Sequence, residues 1–132
     1  MIQFHRTSNM TLLLDFDIAG LNNLAETFQS ALMTGQATIQ MMLNRSVINL
    51  KRSAQTLVTD VIIRLEGNEE VFAQTENGFV WLFSQEMLEN AVWYFQEAVR
   101  LGNCYPAEFL YVKIPKNKKH KDFIFCEMLS ET

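Results

Sequence analysis

Two stretches of this chain read almost as one. Residues 16–35 are FDIAGLNNLAETFQSALMTG and residues 83–102 are FSQEMLENAVWYFQEAVRLG. Without a gap, Phe16, Leu21, Asn23, Phe28, Gln29, Ala31 and Gly35 recur as Phe83, Leu88, Asn90, Phe95, Gln96, Ala98 and Gly102. Each stretch follows an apolar run, opens on a side chain suited to capping a helix (Asp17 or Ser84), and closes on the glycine that commonly ends one. A chain with this pattern must place two similar amphipathic helices after two strands. Two origins fit the coincidence: a true duplication, or two helices obeying the same grammar. The architecture is the same in either case, because it rests on periodicity and caps.

The remaining elements follow from alternation and turn chemistry. Thr11–Phe16 alternates as a strand, and a helix over about Ile18–Met33 carries Leu21, Leu24, Ala25, Phe28, Ala31 and Leu32 on one face. Ala37–Leu43, a turn at Asn44-Arg45-Ser46, and Val47–Lys51 come next. Leu57–Glu66 is a strand, followed by another near 70–76. Asn77-Gly78 has the composition of a type I′ turn, and Phe79–Phe83, apolar on both faces, is expected at the centre of a sheet. A second helix spans about Gln85–Leu101. Glu108–Pro115 and Asp122–Leu129 form a last hairpin, with KNKKHK at its tip and Pro115 ending a strand. Strand-helix-strand-strand thus occurs over 11–51 and again over 79–129. The expected fold is α+β, one domain across residues 1–132, with two helices on one face of a mainly antiparallel sheet of about eight strands.

Composition narrows the function. The chain has 132 residues and a formal net charge of −4. Between residues 60 and 108, nine carboxylates stand against only Arg64 and Arg100, whereas five of the eleven Lys and Arg residues fall in 113–121. An acidic body with one basic tip argues against nucleic-acid binding, which needs cationic surface; it favours a cationic protein partner. No apolar run reaches the roughly 18 residues of a membrane span, and the opening MIQFHRTSNMT lacks the apolar core of a secretory signal. Cys104 and Cys126 have no metal-ligand spacing and read as buried free thiols, so a cytoplasmic location is expected.

Chemistry-bearing motifs are sparse. The five glycines are scattered singly, so there is no phosphate loop. Glu66-Gly67-Asn68-Glu69-Glu70 lacks the alternating spacing of a calcium loop and reads as a solvated turn. His5 falls in an N-terminal segment read as flexible, and His120 in the basic tip, which reads as solvated. No catalytic residue, cofactor or metal site is expected.

The clearest functional signal is the difference between the two helices. Leu88, Ala91, Val92, Phe95 and Val99 form the core stripe of the second. Trp93 and Tyr94 fall outside it, where the first helix has Glu26 and Thr27. Glu89 and Glu97 lie four residues before and after Trp93, and Glu86 and Asn90 complete the face. An aromatic ringed by carboxylates suits the centre of an interface for a basic partner. Three readings of this face are open: a partner surface at Glu86, Glu89, Trp93, Tyr94 and Glu97; aromatics packed under a loop or the N-terminal segment; and a homodimer contact.

The units DFDIAGLNNLAETFQSAL and LFSQEMLENAVWYFQEAV resemble the strand-cap-helix units of bacterial immunity proteins that neutralise polymorphic or contact-dependent growth-inhibition toxins. That resemblance implies a toxin inhibitor binding one cognate toxin domain, often a basic nuclease, in the cytosol by direct protein–protein contact. It carries no functional residue onto this chain. A second expectation is a small acidic secretion chaperone, dimeric on an effector segment, although such chaperones begin with a helix and this chain begins with a strand. An enzyme is not expected.

Overall fold

The computed structural model describes residues 1–49, 55–104, 107–115 and 120–129. Its elements are β1 (Ile2–Arg6), β2 (Thr11–Phe16), α1 (Ile18–Thr34), β3 (Gln36–Asn44), a 3-10 turn (Arg45–Val47), β4 (Thr56–Leu65), β5 (Val71–Thr75), β6 (Gly78–Phe83), α2 (Gln85–Leu101), β7 (Ala107–Val112) and β8 (Asp122–Met128). The strands form one 8-stranded sheet in the order β5-β6-β4-β3-β1-β2-β8-β7. Pairs β1–β2, β3–β4, β5–β6 and β7–β8 are antiparallel, and β1–β3, β2–β8 and β4–β6 are parallel. The sheet curls until its edges meet just past β7. There the Phe72 N–H donates to the Lys113 carbonyl at 3.0 Å and the Lys113 N–H to the Glu70 carbonyl at 2.9 Å. This is the expected α+β class, with both helices on the inner face of the sheet.

The helices begin and end as their sequences require. The Asp17 carboxylate accepts from the Gly20 N–H at 2.8 Å and the Ser84 hydroxyl oxygen from the Met87 N–H at 3.3 Å. Gly35 and Gly102 take the left-handed conformation that ends each helix (φ 99° and 69°). Alternation supplies the inner face of the sheet, where Phe4, Leu12, Leu14, Phe16, Phe72, Trp81 and Phe83 are fully buried.

Exchanging β1–β4 for β5–β8 leaves the strand order around the closed ring unchanged. The registers agree with this exchange. Phe4 opposes Leu14 in β1–β2 as Phe72 opposes Trp81 in β5–β6. Leu14 pairs with Cys126 across β2–β8 as Trp81 pairs with Ile63 across β6–β4. Counterparts also meet each other where the helices touch. Phe28 and Phe95 lie 4.9 Å apart between ring centroids, and the Gln96 amide donates to the Gln29 carbonyl oxygen at 3.0 Å across a sequence separation of 67. Phe16 approaches Phe95 at 6.3 Å, and the reciprocal pair Phe83 and Phe28 stand at 5.3 Å. Residues that touch their own counterparts, flanked by reciprocal pairs, are the signature of a twofold contact, here within one chain.

The structure departs from the sequence expectations in five places. The N-terminal segment is not flexible but forms β1, which pairs with both β2 and β3. No strand runs through Val47–Asn49: the Asn44 side-chain carbonyl accepts from the Ser46 N–H at 2.8 Å, folding the chain into a 3-10 turn that buries Val47. Leu50 and Lys51, the rest of that expected strand, lie outside the described residues. Asn77-Gly78 is not a type I′ turn, since Asn77, like every described residue other than glycine, lacks positive φ. The loop pair is Glu76-Asn77, with Thr75 opposite Gly78; a Cβ at Gly78 would come within 2.9 Å of the Asp60 carbonyl oxygen, which only glycine avoids. β6 is paired on both sides, by β4 and β5, but lies next to the strand at which the ring closes rather than midway along the strand order. Finally, Ala98 rather than Val99 completes the buried stripe of α2, Val99 being 39% exposed.

Candidate functional site

Packing does not account for the tryptophan on the outer face of α2. Trp93 is 66% exposed, whereas Trp81, the other tryptophan, is fully buried. The N-terminal segment does not cover Trp93, because it is committed to the sheet as β1. Tyr94, one residue on, behaves differently. Its ring packs on Phe109 at 5.1 Å and edge-on to Phe95 at 5.4 Å, and its hydroxyl lies 3.1 Å from Cys104 Sγ. Burial, together with the neighbouring thiols of Cys126 and Cys104, raises the Tyr94 phenol far above its ordinary range. The two aromatics therefore divide the work: Tyr94 anchors the helix to β7, and Trp93 stands free. Between them and the sheet runs a groove of about 250 Å³, bounded by Met87, Asn90, Trp93, Tyr94 and Phe109.

The carboxylates are unequal as well. Glu86 is exposed in the first turn of α2, where the helix dipole favours it. Glu89 is exposed and accepts from the Gln85 amide at 2.6 Å. Glu97 is held in a two-pronged pair with Arg100, at 2.9 and 2.7 Å. Hydrogen bonding from that guanidinium keeps its carboxyl below the usual range. Around Trp93 the unanswered negative charge thus lies on the N-terminal side, at Glu86 and Glu89. Arg100 in the last turn was legible from its three-residue spacing to Glu97. Met87 and Phe109 were not assigned to this site from the sequence; Phe109 reaches it only through the fold.

Other residues with chemical potential are engaged elsewhere. Burial raises the Cys104 and Cys126 thiols above their ordinary range, so neither forms the reactive thiolate near neutral pH. Glu70 accepts from the Ser84 N–H and hydroxyl at 3.1 and 3.0 Å, and Glu69 faces Lys113 and Lys121 at 3.8 and 3.9 Å. The acidic stretch expected as a solvated turn is therefore partly used to tie the start of α2 and the last hairpin. Residues 116–119 of the basic tip lie outside the described residues. His5, expected in a flexible segment, instead lies in β1 and places Nε2 3.5 Å from Asp15. Burial holds the Asp15 carboxyl above its usual range, and its Oδ1 has no hydrogen-bond partner among the described residues. No group of three or more His, Cys, Asp or Glu side chains among the described residues is arranged to hold a metal ion. No described helix is long and apolar enough to cross a membrane. No family model, curated protein or solved structure matches this chain.

Proposed function

We propose that this chain is a bacterial immunity protein that neutralises a cognate toxin domain by direct contact through the outer face of α2. The observation that carries this reading is Trp93, a large aromatic 66% exposed beside a groove, on a helix whose counterpart places Glu26 at the same position. A tryptophan left in water forgoes roughly 1.5–3 kcal/mol of burial, and partner binding recovers it. Glu86 and Glu89 flank the ring, and the net charge of −4 suits a basic partner, drawing it in by long-range attraction. In this reading Trp93 enters a pocket on the toxin, Glu86 and Glu89 meet lysine or arginine at the rim, and Tyr94 keeps the helix in place. Neutralisation then follows from covering the toxin's own cationic substrate surface, with no catalytic step.

The test is protection and binding against the toxin domain encoded beside this chain. Co-expression is expected to rescue cells from that toxin, and Trp93→Ala with Glu89→Lys to abolish the rescue while the protein stays folded. If the parent chain fails to rescue, or the double variant protects as well as the parent, the proposal is wrong. Capture of an extended effector segment by a dimer of this chain, in place of a folded toxin, would replace it with the chaperone reading.

A further inference from the structure

The two halves of the ring differ at one pair of positions related by register. Arg6 points inward from β1 and meets Asp122 at the start of β8. Its guanidinium donates to the two carboxylate oxygens at 2.6 and 3.2 Å, with side chains 7% and 0% exposed. It also donates to the carbonyls of Ser46, Val47, Ser8 and Asn9. That end of the interior is filled by a fully engaged ion pair.

Register identifies the counterparts. Arg6 opposes Leu12 as Gln74 opposes Phe79, and Leu12 pairs with Ile124 as Phe79 pairs with Val61. Asp122 and Thr59 stand two residues before Ile124 and Val61. The second half therefore puts Gln74 and Thr59 where the first has Arg6 and Asp122. Both are neutral, Thr59 half-buried and Gln74 exposed, and they line a cavity of about 270 Å³. Leu43, Leu57 and Phe79 supply its apolar wall, and Arg45 and Glu76 stand at its rim. The Arg45 side chain is exposed and makes no hydrogen bond or ion pair with another described side chain.

We propose that this cavity binds a small organic monocarboxylate. Its apolar body would lie against Leu43, Leu57 and Phe79, and its carboxylate would meet Arg45, with Gln74 and Thr59 as uncharged hydrogen-bonding groups beside it. A planar guanidinium is suited to take both carboxylate oxygens at once. Glu76 at the same rim opposes a second negative charge, which selects a monoanion. The volume falls just below the usual range of small-molecule sites (about 300–1,000 Å³), which restricts the body to about one ring. The cavity shares no residue with the groove beside Trp93, so this site and the docking face stand or fall separately.

The probes are phenylacetate and its neutral isostere phenylacetamide, titrated at pH 7 and followed by backbone amide NMR. Phenylacetate is expected to shift Thr59, Gln74 and Phe79 saturably, and the amide to bind about tenfold more weakly, the discrimination expected when one charge-assisted pair is lost. Arg45→Gln should erase that preference, and Glu76→Gln should tighten phenylacetate. Gln74→Arg with Thr59→Asp copies the sealed end and should remove binding. If that pair does not fold, the Arg45→Gln result decides. Absence of saturable shifts, equal binding of acid and amide, or phenylacetate binding unchanged by Arg45→Gln would overturn the proposal.

Discussion

The two halves of this molecule share one plan and finish it differently. In the first, Arg6 and Asp122 close one end of the interior and α1 carries Glu26 at the position of Trp93; in the second, Gln74 and Thr59 line a cavity and α2 carries that exposed tryptophan. What the halves have in common is what the fold requires: capped helices, an aromatic meeting point, and strands paired in one register. Where they differ, packing gives no reason for the second half's choices, and the candidate binding features lie there.

The shared part should break symmetrically. Phe28→Ala and Phe95→Ala each remove a fully buried ring from the same junction and are expected to destabilise by about 3–5 kcal/mol in chemical denaturation. Because the rings touch, the double variant should cost less than the sum. A large inequality between the two would show that the halves do not load that junction equally.

The unshared interior should break asymmetrically. Asp122→Ala leaves the Arg6 guanidinium buried without its carboxylate and is expected to cost about 3–5 kcal/mol. Thr59→Ala, at the counterpart position, should cost no more than about 1 kcal/mol. Equal losses would mean that the second end is as tightly organised as the first.

The caps give a finer comparison. Ser84→Ala and Asp17→Ala are each expected to cost about 1 kcal/mol, because each cap also has a second partner: the Ser84 hydroxyl donates to Glu70 and the Asp17 carboxylate accepts from the N-terminal ammonium. Thermal unfolding of the pair would show whether the two losses match.

Asp15 gives a pH signature to the first half. Its carboxyl is raised above the ordinary 3.8 by burial. The protonated form is therefore favoured in the native state, and the associated stability is present below pH 3.8 and lost as pH rises through the raised native value. Asp15→Asn should accordingly be more stable than the parent at pH 7, with the gain shrinking as pH falls through the raised native value and gone below pH 3.8. A gain that grew on acidification would contradict this assignment.

Much of the fold was readable because the signals are local. Asp17, Ser84, Gly35 and Gly102 marked the helix ends, and the alternation of Leu12, Leu14 and Phe16 marked a buried face. β1 was missed because IQFHR ends in two residues that look solvated; Arg6 is interior only because Asp122 waits 116 positions away. The turn at Asn44-Arg45-Ser46 was legible but its continuation through Val47 was not, because Val47 and Ile48 read as a strand, while the side-chain hydrogen bond from the Ser46 N–H to Asn44 folds the chain into a 3-10 turn. At the candidate face, the angle around the helix axis separated Trp93 and Tyr94 from the core stripe. It could not separate them from each other, since that depends on Phe109 and Cys104 arriving from β7 and the loop before it. The cavity was illegible for the same reason: its walls come from β3, β4 and the β5–β6 hairpin.

Tryptophan fluorescence tests the central contrast most directly, because the chain has one exposed and one fully buried indole. Acrylamide should quench the Trp93 emission of the free protein and leave that of Trp81 nearly untouched, with Trp93→Phe removing the quenchable component at a stability change within about 0.5 kcal/mol. If the proposed toxin partner docks there, its titration is expected to shift the Trp93 emission to the blue and shield it from acrylamide. A toxin that binds while Trp93 stays fully quenchable would show that the outer face of α2 is not the docking surface.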